Sequence, residues 1–206
     1  PVFMFAINDI TRLKHAEEEL RAPNRALRAV SECGAALVRA VDETSLMTRV
    51  CEILVEDCGY TMAWIGLAEE DAARSVRPVA QFGDAGGFLA EVAMTWGESE
   101  PGQGATGRSI RTRQTQIGSL LNPDAPSMPW YEAARSRNLL SAIALPLLNG
   151  ERCLGALTIY SSEPDFFDAP EAVLLEQLAD DLVFGVVTLR ERHARKQADE
   201  ALCQSE

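Results

Sequence analysis

The chain has 206 residues, 47% of them apolar, and its 19 basic and 31 acidic residues leave a formal charge of -12. That length and hydrophobicity suit one domain of ordinary size with extensions at its ends. The acidic balance argues against nucleic acid or an anionic membrane as partner, and no apolar run is long enough to insert this segment across a bilayer.

The first periodic segment carries apolar or small residues at Leu13, Ala16, Leu20, Pro23, Leu27, Val30, Gly34, Leu37 and Val41. Spacings of three and four alternate, the period of a coiled-coil seam. Pro23 lies on that seam, and its missing N–H predicts a kink there. Within this segment, RLKHAEEELRAP is similar to the box that surrounds the phospho-accepting histidine of sensor kinases. Aligning Glu-Leu-Arg-Ala-Pro with the box puts Glu18 at the accepting position and His15 three residues too early. The segment therefore reads as a connector without phosphotransfer chemistry.

A second helix is expected from Glu43 or Thr44 to Cys58, with Gly59 as its stop. Met62–Ala68 and Val76–Phe82 read as strands, and Glu91–Trp96 as a short extended piece. PGQGATG leads into a short helix around Ser109–Arg113, followed by a strand around Thr115–Leu120 and a helix over Trp130–Arg137. Leu140–Leu148 and Glu151–Ser161 flank Asn149-Gly150, the turn pair of a tight hairpin. Folding about that turn pairs Leu145 with Leu154 and Ala144 with Gly155. Both faces of the hairpin are apolar, which predicts central strands covered on both sides. A long helix follows from about Pro170 to Arg190, N-capped by Asp168, with Leu175, Leu178, Leu182, Gly185 and Leu189 on its inner face. Beyond Arg190 the sequence continues as a charged helical tail.

In this order, SAIALPLLNGERCLGALTIYSS, GQGATGRSIRTRQTQIGS and PDFFDAPEAVLLEQLADDLVFGV resemble three blocks of GAF domains, and the resemblance covers about Leu27 to Arg190. FMFAINDITRLKHAEEEL is similar to the end of a PAS domain and its exit linker. The resemblance implies an α+β fold with a six-stranded antiparallel sheet in the order 3-2-1-6-5-4 and the N- and C-terminal helices on one face. It divides the chain into a last PAS-like strand (1–9), a helical linker (10–30), the GAF domain (31–190) and a C-terminal signalling helix (191–206). It further implies a cytoplasmic, multidomain signalling protein of the two-component or diguanylate cyclase kind, whose output domain (a diguanylate cyclase or histidine kinase) lies outside this chain.

Gly102-x-Gly104-x-x-Gly107 matches a dinucleotide fingerprint, but Pro101 precedes it and the next strand begins within ten residues. No parallel βαβ unit fits that space, so a tight turn is the better reading, with Arg108, Arg111 and Arg113 on a solvated helix face by default and an anionic ligand as the alternative they could face. The five cysteines Cys33, Cys51, Cys58, Cys153 and Cys203 form no Cys-x-x-Cys pair and lie apart from both histidines, so zinc is not expected. Reduced thiols fit a cytoplasmic location. Bilin-binding GAF domains use a Cys-His pair, absent here, and both histidines fall in the terminal helices, so neither bilin nor haem is expected. Any other cofactor is unknown. Aromatic residues at Trp64, Phe82, Trp96, Trp130 and Tyr131, with Ile143, are the candidate lining of a pocket for a small organic ligand. Leu20, Pro23, Leu27, Val30, Gly34, Leu182, Gly185 and Leu189 are the candidate signalling seam of a parallel homodimer. No catalytic or metal-binding residue is assigned. A thiol-dependent reductase like the free methionine sulfoxide reductases, and a ligand-free dimerisation spacer, are the alternatives to a sensory module.

Overall fold

A computed structural model describes residues 24–83, 87–120 and 129–203. Leu20, Pro23 and the kink expected there lie outside the described residues, as do the PAS-like strand and most of the linker. Residues 24–39 form helix α1, which runs unbroken across the domain boundary expected at 30/31. Helix α2 (Glu43–Glu52) starts at Asp42, whose carboxylate accepts the Ser45 N–H at 2.9 Å, and passes into a π-helical turn at Ile53–Asp57. Gly59, at φ +80°, ends it where the sequence predicts a stop.

Five strands make one antiparallel sheet: β1 (Met62–Ala68), β2 (Val76–Phe82), β3 (Gln116–Ser119), β4 (Ser141–Asn149) and β5 (Arg152–Ser161), in the order β2-β1-β5-β4-β3. This is the expected order without its outermost strand. Of the expected extended piece at Glu91–Trp96, Glu91 ends a short helix α3 (Phe88–Glu91), and the rest is non-helical and joins the sheet by a single bridge, Ser75 to Thr95. There the Val76 N–H donates to the Met94 carbonyl at 2.9 Å and the Trp96 N–H to the Arg74 carbonyl at 2.8 Å. The next outward-facing position on β2 is Pro78, which has no N–H to continue the ladder, so the sixth strand stops at one bridge.

The β4–β5 hairpin forms, but in a different register from the one the Asn-Gly pair suggests. Asn149 pairs with Arg152, so the turn is centred on Gly150 and Glu151, and a bulge between Leu147 and Leu148 then brings Leu145 opposite Leu157 and Ala144 opposite Thr158. The change of parity flips most of β5: Leu157 and Ile159 join Ile143, Leu145 and Leu147 on one face, where the simpler register put them on the other.

Each face of the sheet has its own apolar core. On one, α1, α2 and the long helix α6 (Ala169–Cys203) cover Ile65, Ile143, Leu145, Leu157 and Ile159. On the other, α3, α4 (Ala105–Thr112) and α5 (Pro129–Ser136) cover Met62, Trp64, Ala142, Ala156 and Tyr160. The double coverage explains why both faces of the hairpin read as apolar. Asp168 caps α6 as expected, accepting the Glu171 N–H at 2.7 Å.

Candidate functional site

The sheet divides the six pocket candidates between its faces. Trp64, Trp96, Trp130 and Tyr131 belong to the core under α3–α5. Phe82 and Ile143 lie on the opposite face beneath the long helices and cannot line a cavity with the other four. The cause is strand parity: Phe82 shares its side of β2 with Ala80, and Ile143 stands opposite Ile159.

The face that holds the remaining four also carries an unusual set of buried polar atoms. Trp64 on β1 is fully buried, and its cross-strand neighbour Thr158 shares a 2.9 Å hydroxyl hydrogen bond with Thr106 of α4. One turn further along α4, Ser109 is also fully buried. Among the described residues, the indole nitrogens of Trp64 and Trp130 and the hydroxyls of Thr95 and Ser109 are buried without a hydrogen-bond partner. The Tyr160 hydroxyl nevertheless feels the Trp64 N–H, so that indole is not wholly unpartnered. A buried donor left unpaired costs about 1–3 kcal/mol, so the groups on Thr95, Ser109 and Trp130 are an unusual way to build a plain core. Trp130 packs over Gly104 and meets Tyr131 edge-on, with ring centroids 6.3 Å apart.

The glycine-rich stretch is structural, as the tight-turn reading expects. A Cβ on Gly107 would lie 2.4 Å from the Thr95 carbonyl oxygen, and one on Gly102 would lie 2.1 Å from that of Gly97. Helix α4 begins earlier than expected, at Ala105, and takes Gly107 into its first turn. Arg111 is not on a solvated face. Its guanidinium donates to the carbonyls of Trp96 (3.2 Å), Gly97 (2.7 Å) and Gly102 (3.2 Å), and so ties the loop to α4. Nothing in the local sequence separates it from Arg108, which is exposed.

Among the described residues, burial holds the four thiols protonated. Cys33, Cys51 and Cys58 are buried under the long helices, and desolvation pushes Cys58 up to about 11, Cys33 up to about 12 and Cys51 higher still. Cys153 is half-buried at the edge of an open groove of about 570 Å³ that Trp96, Arg113 and Arg152 also line. Its thiol is also raised by burial, and it donates to the Gly155 carbonyl at 3.3 Å. A protonated thiol is a weak nucleophile.

The helical seam divides as well. Val30 and Leu37 pack inward, Leu182 and Gly185 are buried, and Leu189 is half-buried. A Cβ on Gly185 would lie 2.8 Å from Leu37 and 2.9 Å from Leu46, so this glycine admits side chains of its own chain and not a partner helix. Gly34 faces open space beside a small gap between α1 and α6. Among the described residues, the large apolar side chains turned to solvent are Leu27 and Val38 on α1, Val41 just beyond it, Val173 and Phe184 on α6, and Ile117 at the sheet edge, from 51% exposed at Ile117 to 88% at Val41. From Arg190 to Glu200 every residue of α6 is exposed. Among the described residues, no helix is long and apolar enough to cross a membrane.

A family model described as GAF domain matches residues 40–187. The chain belongs to the GAF domain family. Solved structures carry the same fold at low identity. One is the free methionine-R-sulfoxide reductase of Neisseria meningitidis, with 18% identity and a TM-score of 0.66 over 81% of this chain and 91% of that one. Another is the GAF region of a putative membrane protein of Geobacter sulfurreducens, with 19% identity and a TM-score of 0.59 over 71% and 93%. A third is a domain of a putative two-component sensor histidine kinase of Sinorhizobium meliloti, with 19% identity and a TM-score of 0.58 over 74% and 95%. No curated protein matches the sequence. These neighbours include both regulatory proteins and a reductase, so their likeness establishes the GAF fold and not one activity.

Proposed function

We propose that this GAF domain is a sensory and regulatory module that passes a signal through its terminal helices to a covalently linked output domain. The observation that carries this reading is α6. It is a single helix of 35 residues whose described tail from Arg190 is exposed throughout, while its first half is packed into the domain core. Such an exposed helix cannot be held by the core of its own domain; it suits a connector in which packing at one end sets orientation at the other. The PAS-like strand at 1–9, the linker at 10–30 and the signalling helix at 191–206 complete the proposed arrangement, in the cytoplasm and as a parallel homodimer. The output domain is a diguanylate cyclase or a histidine kinase. The face available for pairing is the one bearing Leu27, Val38, Val41, Val173 and Phe184. The unpaired donors of Ser109 and Trp130 support a ligand that carries hydrogen-bond acceptors.

Light scattering at high concentration should find a dimer, and Phe184→Glu should weaken it at least tenfold, about 1.4 kcal/mol. A strictly monomeric wild type would overturn the dimer. Native mass spectrometry of protein from its source separates a ligand-bound sensor from a ligand-free spacer, because a sensor retains its small molecule.

Cys153 beside Arg113 in the 570 Å³ groove favours one second reading, a thiol-dependent reductase of free methionine sulfoxide. The raised thiol argues against it. Wild-type protein with a dithiol reductant is expected to leave methionine sulfoxide unreduced; turnover abolished by Cys153→Ser would establish the reductase instead.

A further inference from the structure

Between the first described turn of α1 and the first turn of α6, two side chains from distant parts of the chain meet on one carboxylate oxygen of a third. Arg25 of α1 places two guanidinium nitrogens 2.9 Å from Glu171 Oε1. The Tyr60 hydroxyl, just before β1, donates to the same atom at 2.8 Å. Glu171 is fully buried in the first turn of α6, and its other oxygen has no partner among the described residues. The guanidinium lies 4.0 Å from the centroid of Phe166 and 5.3 Å from that of Tyr60, so its charge is held over two aromatic rings. Phe167 stacks on Tyr60, with centroids 6.0 Å apart and planes at 16°. The PDFF stretch before α6 is thus the floor on which Arg25 rests.

This cluster joins the incoming helix, the sheet and the outgoing helix at one point. Burial pushes the Glu171 carboxyl above its usual range, and the Arg25 charge pulls it back most strongly, ahead of the Tyr60 hydrogen bond. With Arg25 withdrawn, a buried carboxylate would be left with the tyrosine alone. An ion pair of this kind therefore makes half-docked positions of α1 unfavourable, and separates a docked from an undocked state.

We propose that Arg25, Tyr60 and Glu171 form a latch fixing α1 at Arg25 to the start of α6, and that a signal arriving along the linker is read as the opening of this buried ion pair. The proposal rests on the sensory reading above and names the regulated contact within it.

The test is hydrogen exchange on the whole chain. In Arg25→Met, amides 24–32 and the first turns of α6 should exchange about a hundredfold faster, while those of β4 and β5 keep their protection. The double variant Arg25→Met, Glu171→Leu leaves no buried charge, and should restore protection in both segments. Tyr60→Phe removes one of three donors and should lie between wild type and Arg25→Met. The latch is overturned if Arg25→Met leaves amides 24–32 unchanged, if only α1 responds, if β4 and β5 lose protection in parallel, or if the double variant is as loose as the single one. Light scattering reads the dimer separately: a monomer that still shows this exchange pattern removes the dimer and leaves the latch standing.

Discussion

Gly155→Ala is expected to destabilise the domain by about 4 kcal/mol, from overpacking and backbone strain together. Gly155 sits in β5 between Leu67 of β1 and Leu147 of β4, with the β1 backbone packed directly against it. A Cβ there would lie 1.9 Å from the Gly66 carbonyl oxygen and 2.8 Å from the Leu67 Cα, both backbone atoms that no side-chain rotation relieves. The backbone is also at φ +157°, which L side chains rarely adopt. Gly150 in the hairpin turn is the natural control. It has φ +60° and open space around it, so Gly150→Ala should cost only the left-handed strain, about 1–2 kcal/mol. Urea denaturation of the two variants measures the difference. Equal costs would mean that β1 and β5 can separate to admit a methyl group, contrary to the close approach described.

Trp64→Ala should cost about 3–5 kcal/mol, because it removes the largest fully buried side chain and leaves a cavity beneath α4. Trp64→Phe should cost much less. The smaller ring leaves a smaller cavity, and the change deletes an indole N–H that is buried without a partner. Paired denaturation curves for the two variants, with near-ultraviolet circular dichroism to report packing of the remaining aromatics, check both values. A Phe variant as unstable as the Ala variant would show that the indole N–H has an effective partner, for which the Tyr160 hydroxyl is the group at hand.

The helices and strands were largely readable because each has a local cause. Asp42 and Gly59 bracket α2, and the apolar runs of Met62–Ala68 and Val76–Phe82 match β1 and β2 end to end. The sixth strand failed for an equally local reason, since Pro78 stands where the next ladder donor is needed. The hairpin register depended on more than its turn. Asn-Gly marks a tight turn correctly, but the bulge at Leu147 and Leu148 reverses the parity of the strand beyond it, and no turn propensity encodes that. The pocket assignment inherited the same difficulty: aromatic residues were recognisable, but whether Phe82 or Trp64 faces α4 depends on register.

The sequence by itself determined the order of elements, the GAF family through its three blocks, the caps and stops of the helices, and the sheet's need for cover on both faces. These follow from periodicity, turn chemistry and composition, which act over a few residues. Only the tertiary structure decided that Gly185 receives Leu37 of its own chain, that Arg111 holds a loop, and that Leu27, Val38 and Phe184 form the outward face. It alone joined Arg25 to Glu171, 146 positions apart. A charged residue in a helical pattern reads as solvated until packing removes its water, and that depends on what the rest of the chain brings to it.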